Sequence, residues 1–292
     1  MRLLILISIL TLFLQAQDIL IINSNSNIQK YKETEVGFSK SINGPFKTLD
    51  ISGMSSSEIR EYLYTEYPDI VYAIGAKAYQ YANQYIPEKK IYFSSIMNWK
   101  RLDINGERYG ASQELFSEMH LTLIKSIFND IKTIGIVYSN YTEDVMQDFS
   151  DNAQKLGIKI LTQKVSKSSI AYETFDDIFT KTEAMIILPD PILLSNDEIV
   201  ENLFKLSKKY KKPVFAYHEL FIEYGAALIT SVDNLTTGRQ IATMINSIAK
   251  IGVHKKILYP AGTKVIFNKK VVLNLELKFN NNSTSVIAEV IE

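Results

Sequence analysis

The sequence lacks several features that would otherwise point directly to a function. Its 292 residues include no cysteine, which excludes disulfides, thiolate nucleophiles, cysteine metal sites and a lipid-anchoring cysteine. It has no net charge, because 32 basic residues balance 32 acidic ones, so we expect no general attraction to nucleic acid or anionic membranes. The motifs G-x-S-x-G, H-E-x-x-H, G-x-x-x-x-G-K-[ST] and G-x-G-x-x-G are missing, and the three histidines are far apart. We therefore expect no enzyme, no metal site and no cofactor.

Long apolar runs are also missing, except at the amino terminus. Residues 3–14 form a run of twelve apolar or small residues, which is shorter than the roughly 20 residues that a membrane-spanning helix needs. Arg2 precedes this run and Ala16 follows it, a pattern typical of a cleavable signal peptide. The sequence predicts a signal peptide over residues 1–16, a mature chain that starts near Gln17, and a periplasmic location. An uncleaved anchor and a buried first strand are the alternatives.

The most informative feature that is present is a repeated plan. The segment DILIINSN (18–25) and the segment TIGIVYSN (133–140) are both β-branched runs that stop at Ser-Asn. The segment DIVYAIG (69–75) is followed by AMIILPD (184–190) at the same spacing of 115 residues. A looser pair consists of KIYFSSI (90–96) and PVFAYHE (213–219). The repetition predicts two similar units.

Each apolar run is about six residues long, is bounded by polar residues or Gly/Pro, and is followed by a helical pattern. Such runs are typical of parallel strands that are buried on both faces. Ser55 with Glu58, and Asn140 with Glu143, form the pattern of a helix capping box. The sequence therefore predicts an α/β fold with two doubly wound parallel-sheet lobes.

Two regions near the end of the chain have their own predictions. Asp233 and Asn234 are expected to open a helix that ends near Gly252. Residues 257–292 lack a helical period and are expected to form short strands, with the segments KVIF, VVLNLEL and TSVIAEVI separated by turns.

Ligands of doubly wound sheets bind outside the carboxyl ends of the strands. The residues predicted at this edge are the polar or small ones that end the apolar runs, together with Met97 just beyond one of them. They are Ser24, Asn25, Gly75, Ala76, Lys77, Ser94, Ser95, Met97, Asn140, Asp190 and His218. The alternative role of these residues is to end strands and cap helices.

Several segments together resemble the substrate-binding proteins of ABC transporters with the type I periplasmic-binding fold, in the branch that includes tryptophan- and tyrosine-type binders. The matching segments, in order, are DIVYAIGAKA, KIYFSSI, TIGIVYSN, MIILPD, KKPVFAYHELFIEYGAALITSVDN, TTGRQIATMI and VVLNLEL, whereas the ending NNSTSVIAEVIE departs from the family. The resemblance implies that residues 18–113 with 233–256 form lobe one, and that residues 114–232 with 257–292 form lobe two. A ligand would bind in the cleft at the hinge between them.

The resemblance also implies roles for individual residues. Family members commonly carry Ser or Thr after the glycine of the DIVYAIG-like strand to hold a ligand carboxylate, and here that position is Ala76. Lys77 is expected to supply a cation instead, and Asp190 is expected to receive a ligand ammonium. Asp233 resembles the acid next to the family's hinge and is expected to contact the ligand. The alternatives are a solvated Lys77 and an Asp190 that caps a turn.

The leading functional prediction is a monomeric periplasmic receptor that closes on a small polar ligand, such as an amino acid or related metabolite, and delivers it to an ABC permease. The alternative is a ligand-sensing or adaptor protein of the same fold that acts on a membrane signalling partner. The altered position at Ala76 and the unusual ending keep this alternative open.

Overall fold

The computed structural model describes residues 18–114, 116–247 and 256–292. The predicted signal peptide and the predicted helix end near Gly252 lie outside the described residues. Strands and helices alternate along most of the chain. Their bounds are β1 (Ile19–Asn23), α1 (Gln29–Ser39), β2 (Phe46–Asp50), α2 (Ser56–Glu66), β3 (Ile70–Ile74), α3 (Ala76–Tyr85), β4 (Lys90–Ser94), β5 (Arg108–Ala111), α4 (Ser117–Ile127), β6 (Thr133–Tyr138), α5 (Glu143–Lys155), β7 (Lys159–Lys164), α6 (Ala171–Lys181), β8 (Ala184–Ile186), α7 (Asp197–Tyr210), β9 (Val214–Ala216), α8 (Phe221–Tyr224), β10 (Leu228–Val232), α9 (Asn234–Ser247), β11 (Ile257–Leu258), β12 (Thr263–Asn268), α10 (Lys269–Asn274) and β13 (Glu289–Ile291).

The strands form two sheets of the same plan. The first sheet has the order β11-β5-β4-β3-β1-β2, and the second has the order β13-β12-β10-β9-β8-β6-β7. Neighbouring strands run parallel throughout both sheets, except that β10 and β12 are antiparallel. In each sheet the strand order reverses beside the first strand, β1 or β6. The predicted pairs therefore occupy equivalent positions, and the α/β, doubly wound fold is confirmed.

Each sheet is buried on both faces, which explains why its central strands are apolar runs without alternation. All five residues of β1 and of β3 are buried. Two apolar clusters cover the faces of the first sheet and two others cover the second. The outer strands β2 and β7 are partly exposed, and their sequences are correspondingly more polar. Each sheet therefore has its own hydrophobic core.

The chain passes between the sheets three times. It leaves the first sheet after β5, returns after β10 through α9 to β11, and leaves again before β12. The helix α9 packs closely against α1 of the first unit. Strand β11 pairs with β5, and this pairing lies just beyond the boundary predicted at residue 256. Two of the crossings are joined directly, because the Asp233 N–H donates to the Gly262 carbonyl at 3.0 Å.

Two local predictions are wrong and a third is wrong in part. The segment TSVIAEVI forms a strand only at Glu289–Ile291, because Asn281–Val286 form a 3-10 helix. The segment VVLNLEL is not a strand, because residues 269–274 form α10, and the Asn268 side chain caps this helix by accepting from the Val271 N–H at 3.2 Å. Asn140 does not cap α5 either, since that helix begins at Glu143 after Thr142. By contrast, the capping box of Ser55 and Glu58 is present at α2.

Candidate functional site

A cavity of about 530 Å³ lies between the two sheets. The first unit contributes the first turns of α1, the loop after β4 and the crossing segments, with lining residues Gln29, Lys30, Glu33, Met97, Gln113, Glu114, Asp233 and Asn234. The second unit contributes α4, α5, strand ends and β12, with lining residues that include His120, Phe149, Leu188, Tyr217, His218, Glu219, Ser231 and Lys264. We call this space the cleft cavity. Its volume is within the range of small-molecule sites.

Three residues of the cavity wall each have a buried polar atom that lacks a hydrogen-bond partner among the described residues. The atoms are Gln113 Oε1, His120 Nε2 and Ser231 Oγ. Leaving such an atom unsatisfied costs roughly 1–3 kcal/mol, so native structures rarely keep several of them in one place unless something else supplies the missing bonds. The wall of the cleft cavity therefore has unused hydrogen-bonding capacity contributed from both sides of the chain crossing.

His120 is the most deeply buried of the three residues. It is only 3% exposed, and its ring packs edge-on against Phe149 with the ring centroids 5.6 Å apart. Burial lowers the pKa of His120 to about 4, so the ring is neutral at physiological pH. A neutral imidazole carries one donor and one acceptor.

Three of the residues predicted to bind the ligand line the cleft cavity, namely Met97, His218 and Asp233. The Nδ1 atom of His218 accepts from the Leu220 N–H at 3.1 Å. The carboxylate of Asp233 caps α9, because Oδ1 accepts from the Thr236 N–H at 3.0 Å and Oδ2 accepts from its hydroxyl at 2.6 Å. Asp233 therefore positions the start of α9 beside the cavity.

The predicted carboxylate site at the start of α3 lies outside the cleft cavity. Gly75, Ala76 and Lys77 are absent from its wall. A side-chain carbon added at Gly75 would lie 2.7 Å from Ser24 Oγ and 2.9 Å from the Tyr31 ring, so these two side chains cover the glycine. Ser24 Oγ accepts from the Ala78 N–H at 3.0 Å, and Lys77 Nζ donates to the Ile51 carbonyl at 2.9 Å. Ligand contact at this position stays a prediction that the observed contacts do not support.

Three further predicted residues, Asn25, Ser94 and Ser95, also bond within the chain. Asn25 Oδ1 accepts from the Asn27 N–H at 3.0 Å, which forms a turn after β1. Ser94 Oγ lies 2.6 Å from the Tyr72 hydroxyl, and Ser95 Oγ lies 3.2 Å from Thr34 Oγ1. Ser94 and Ser95 are buried, and neither they nor Asn25 lines the cleft cavity. Their ligand contact likewise stays a prediction.

Asp190 was predicted to receive a ligand ammonium, but its carboxylate is fully buried and already occupied. One oxygen accepts from the Ser139 N–H at 2.8 Å, the Ser139 hydroxyl at 2.7 Å and the Thr142 hydroxyl at 2.5 Å. The other accepts from the N–H groups of Ile192 and Leu193 at 2.9 and 3.3 Å. These contacts tie the loop after β6 to the loop after β8, and they leave the carboxylate facing the chain instead of the cavity.

Asn140 is exposed and lines a second, adjacent cavity of about 950 Å³. This second cavity shares Glu114, Val145 and Phe149 with the cleft cavity. The two units touch on its rim, where Lys100 pairs with Asp144 at 2.8 Å and Arg101 donates to the Tyr141 carbonyl at 2.7 Å. These contacts close one side of the space between the sheets.

Sequence reasoning missed the residues of the first turns of α1, which are Gln29, Lys30 and Glu33, and those of the first crossing, Gln113 and Glu114. The signal that could have revealed Lys30 is its place in the helix after β1, beside the point where the strand order reverses. No comparable signal marks Gln113. Glu114 holds the loop after β4 by accepting from the Asn98 N–H, and burial raises the pKa of its carboxyl.

No group of three or more histidine and acidic side chains within residues 18–114, 116–247 and 256–292 is placed to hold a metal ion. In the same ranges, no helix is both long enough and apolar enough to cross a membrane.

Two similar units with a cavity between them define the class of two-lobed solute-binding proteins. The sequence matches the family described as ABC transporter substrate binding protein over residues 33–291. Because this match covers most of the chain, the protein belongs to the family of ABC transporter substrate-binding proteins, a family of solute-binding proteins without enzymatic activity. A search of curated proteins found no match.

Solved structures support the fold. A ligand-free, open substrate-binding protein with adhesive properties from Clostridium difficile has 16% identity and a TM-score of 0.75, with 94% of this chain and 99% of that chain covered. The ABC domain from Streptococcus pneumoniae in complex with L-Trp has 19% identity and a TM-score of 0.63, with 94% and 100% covered. A periplasmic ribose ABC transporter protein from Conexibacter woesei has 12% identity and a TM-score of 0.57, with 90% and 95% covered. These likenesses identify the type I periplasmic-binding fold.

Proposed function

We propose that this protein is a periplasmic receptor that binds a small polar ligand, an amino acid or a related metabolite, in the cleft cavity and delivers it to an ABC permease. The observation that carries the proposal is the cavity wall, which takes residues from both units. Three of these residues, Gln113, His120 and Ser231, have a buried polar atom without a hydrogen-bond partner among the described residues. A ligand in this position would contact both units at once.

The proposed mechanism is closure about a hinge. We propose residues 18–112 with 234–247 and 256–258 as one rigid lobe and residues 117–232 with 263–292 as the other, following the strand pairing of each sheet. Only the three crossing segments then need to bend. A ligand that contacts both lobes favours the closed form, because only that form gives it all of its contacts. The permease would respond to the closed, loaded receptor.

The proposal also includes export. A signal peptide over residues 1–16 would direct the chain to the periplasm, where a monomer would capture its ligand. One structural neighbour is a complex with L-Trp, which supports an amino acid as the first class to test. Another is a ribose ABC transporter protein, which makes sugars the necessary comparison.

A thermal-shift screen tests the proposal. The protein, purified from the periplasm of an expression host, is screened against L-amino acids, nucleosides, sugars and small carboxylates. A ligand at one hundred times its dissociation constant stabilises the folded state by about 2.7 kcal/mol, which raises the melting temperature measurably. A hit is then tested for stimulation of a reconstituted permease. Failure of every class to bind would contradict the receptor function, and binding without stimulation would favour the ligand-sensing alternative.

A further inference from the structure

The charged side chains that line the cleft cavity differ in whether they form hydrogen bonds or ion pairs with the rest of the chain. Every carboxylate in its wall accepts a hydrogen bond from the chain. Glu33 accepts from Gln29 Nε2 at 2.8 Å and from Asn234 Nδ2 at 3.2 Å, and Asp233 caps α9. The remaining two carboxylates are also engaged, Glu114 by the loop after β4 and Glu219 by Lys264. The acidic side of the wall is therefore already used in holding the structure together.

The two lysines of the wall differ from each other. Lys264 pairs with Glu219 at 3.1 Å and with Glu289 at 2.8 Å. Among the described residues no carboxylate lies within 4 Å of Lys30 Nζ, which sits 5.0 Å from the centre of the Tyr31 ring. Burial lowers the pKa of Lys30, so the chain holds this cation partly out of water without an ion-pair partner. Lys30 is therefore the one positive charge of the wall that has no ion-pair partner in the described part of the chain.

Its position suits an anion for a second reason. Lys30 lies in the first turn of α1, and Ile28 at the start of this helix supplies no side-chain cap. The positive end of the helix dipole and the lysine therefore act at the same place on the wall.

His218 contributes a donor from the other unit. Its Nδ1 accepts from the Leu220 N–H at 3.1 Å, so in the neutral ring Nε2 carries the proton. Lys30 and His218 line the same cavity from opposite units. Burial lowers the pKa of His218, the positive charge of Lys30 lowers it further, and the Glu219 carboxylate raises it. At neutral pH the pair therefore presents an ammonium and an uncharged N–H donor, one from each unit.

We propose that Lys30 and His218 together bind the carboxylate of a monocarboxylate ligand, so that this group is held from both units at once. The inference rests on the proposed receptor function and specifies where its ligand is recognised. The wall has four carboxylates and two ammonium groups, a formal balance of −2. This balance favours a single carboxylate, with or without an ammonium on the same molecule, over a di- or tricarboxylate. The anion site thus lies at α1 and not at the start of α3.

The first test compares matched compounds. Each amino acid in a panel is measured beside the amine that lacks its carboxylate and the acid that lacks its ammonium, by thermal shift and then by calorimetry. We expect only compounds with the carboxylate to bind. Strong binding by an amine when the matching acid without an ammonium does not bind would overturn the inference while leaving the receptor function standing. No binding by any compound of this panel would overturn the inference, whereas the receptor function itself is contradicted only if the nucleosides and sugars of the wider screen fail to bind as well.

The second test uses Lys30→Met, with Lys32→Met as its control, because Lys32 is exposed on the same helix and does not line the cavity. Removing one partner of a partly buried charge pair is expected to weaken the binding of the carboxylate compound by at least about 30-fold. His218→Phe is expected to weaken it as well, and Lys32→Met is expected to leave it unchanged. Equal affinities in Lys30→Met and Lys32→Met would overturn the inference.

A third measurement needs no ligand. The pKa of His218, followed by nuclear magnetic resonance, is expected to rise in Lys30→Met because a nearby positive charge has been removed. It is expected to stay unchanged in Lys32→Met. The same His218 pKa in wild type and Lys30→Met would show that the two side chains do not face a common space, and would also overturn the inference.

Discussion

The contact between α1 and α9 offers a sharp test of the fold next to the cleft cavity. The two helices meet at Gly37 and Gly238. A side-chain carbon added at Gly238 would lie 2.0 Å from the Thr34 carbonyl oxygen and 2.6 Å from the Phe38 nitrogen. One added at Gly37 would lie 2.0 Å from the Leu235 carbonyl oxygen. All three neighbours are backbone atoms, so no side chain can rotate away to relieve the clash.

The expected cost of Gly238→Ala follows from two opposing effects. Overpacking of a tight contact costs about 1–3 kcal/mol, and a clash with backbone atoms belongs at the upper end of that range. Alanine in a helix interior gains about 1 kcal/mol over glycine. We therefore expect the free energy of unfolding to fall by about 2 kcal/mol. For a chain of this size that corresponds to a melting temperature lower by roughly 3–4 °C.

The matched control is Gly53→Ala. An added carbon at Gly53 meets nothing within 4 Å, so this substitution is expected to change the free energy of unfolding by less than about 0.5 kcal/mol. Both variants are unfolded by heat and by urea under the same conditions. If Gly238→Ala proves as stable as Gly53→Ala, the helices do not need the close approach, and the reasoning is refuted.

Three further predictions concern buried ionisable groups and the amino terminus. Asp190→Asn should lower the free energy of unfolding by about 2–4 kcal/mol at pH 7, because the carboxylate accepts five hydrogen bonds. Burial alone would raise the pKa of Asp190, but hydrogen bonds from Thr142 and Ser139 lower it overall. The difference in free energy of unfolding between wild type and Asp190→Asn, measured by urea unfolding, should therefore shrink as the pH falls below about 4. His120 has a pKa of about 4 in the folded protein and about 6.5 in the unfolded chain, so the wild type should lose up to about 3 kcal/mol of its free energy of unfolding as the pH falls from 6.5 to 4. His120→Gln should remove this pH dependence. An unchanged pH dependence in the variant would contradict the buried neutral ring. Mass spectrometry of periplasmic protein should give an amino terminus near Gln17, whereas Met1 in a membrane fraction would contradict cleavage of the signal peptide.

Much of the fold was predictable, because buried parallel strands leave a strong local signature. The runs that became β1 and β6 are apolar, short and followed by helices, and burial on both faces accounts for their composition. The prediction for the segment VVLNLEL was wrong because its local signature is weak. A short run with two valines does not distinguish a strand from a single helical turn, and Asn268, which caps the helix, lies just outside the run.

The candidate site was less predictable than the fold. The rule that ligands bind at strand ends selected Met97 and His218, and both line the cavity, while their contact with a ligand stays a prediction. It could not show that Tyr31 covers Gly75, because the two residues are distant in sequence and meet only in the folded chain. It also could not show that Asp190 is occupied by Ser139 and Thr142, which depends on how two loops pack.

The central claim is that one ligand bridges the two lobes, and a distance measurement tests it most directly. The absence of native cysteine allows spin labels to be placed only at Asn27→Cys and Leu220→Cys, two exposed positions beside opposite walls of the cleft cavity. Pulsed electron paramagnetic resonance then gives the distribution of distances between the two labels, first without and then with the compound found in the screen. The account predicts a shorter mean distance and a narrower distribution when the compound is bound. Saturating binding that leaves the distribution unchanged would mean that the compound does not draw the lobes together, and would contradict the account.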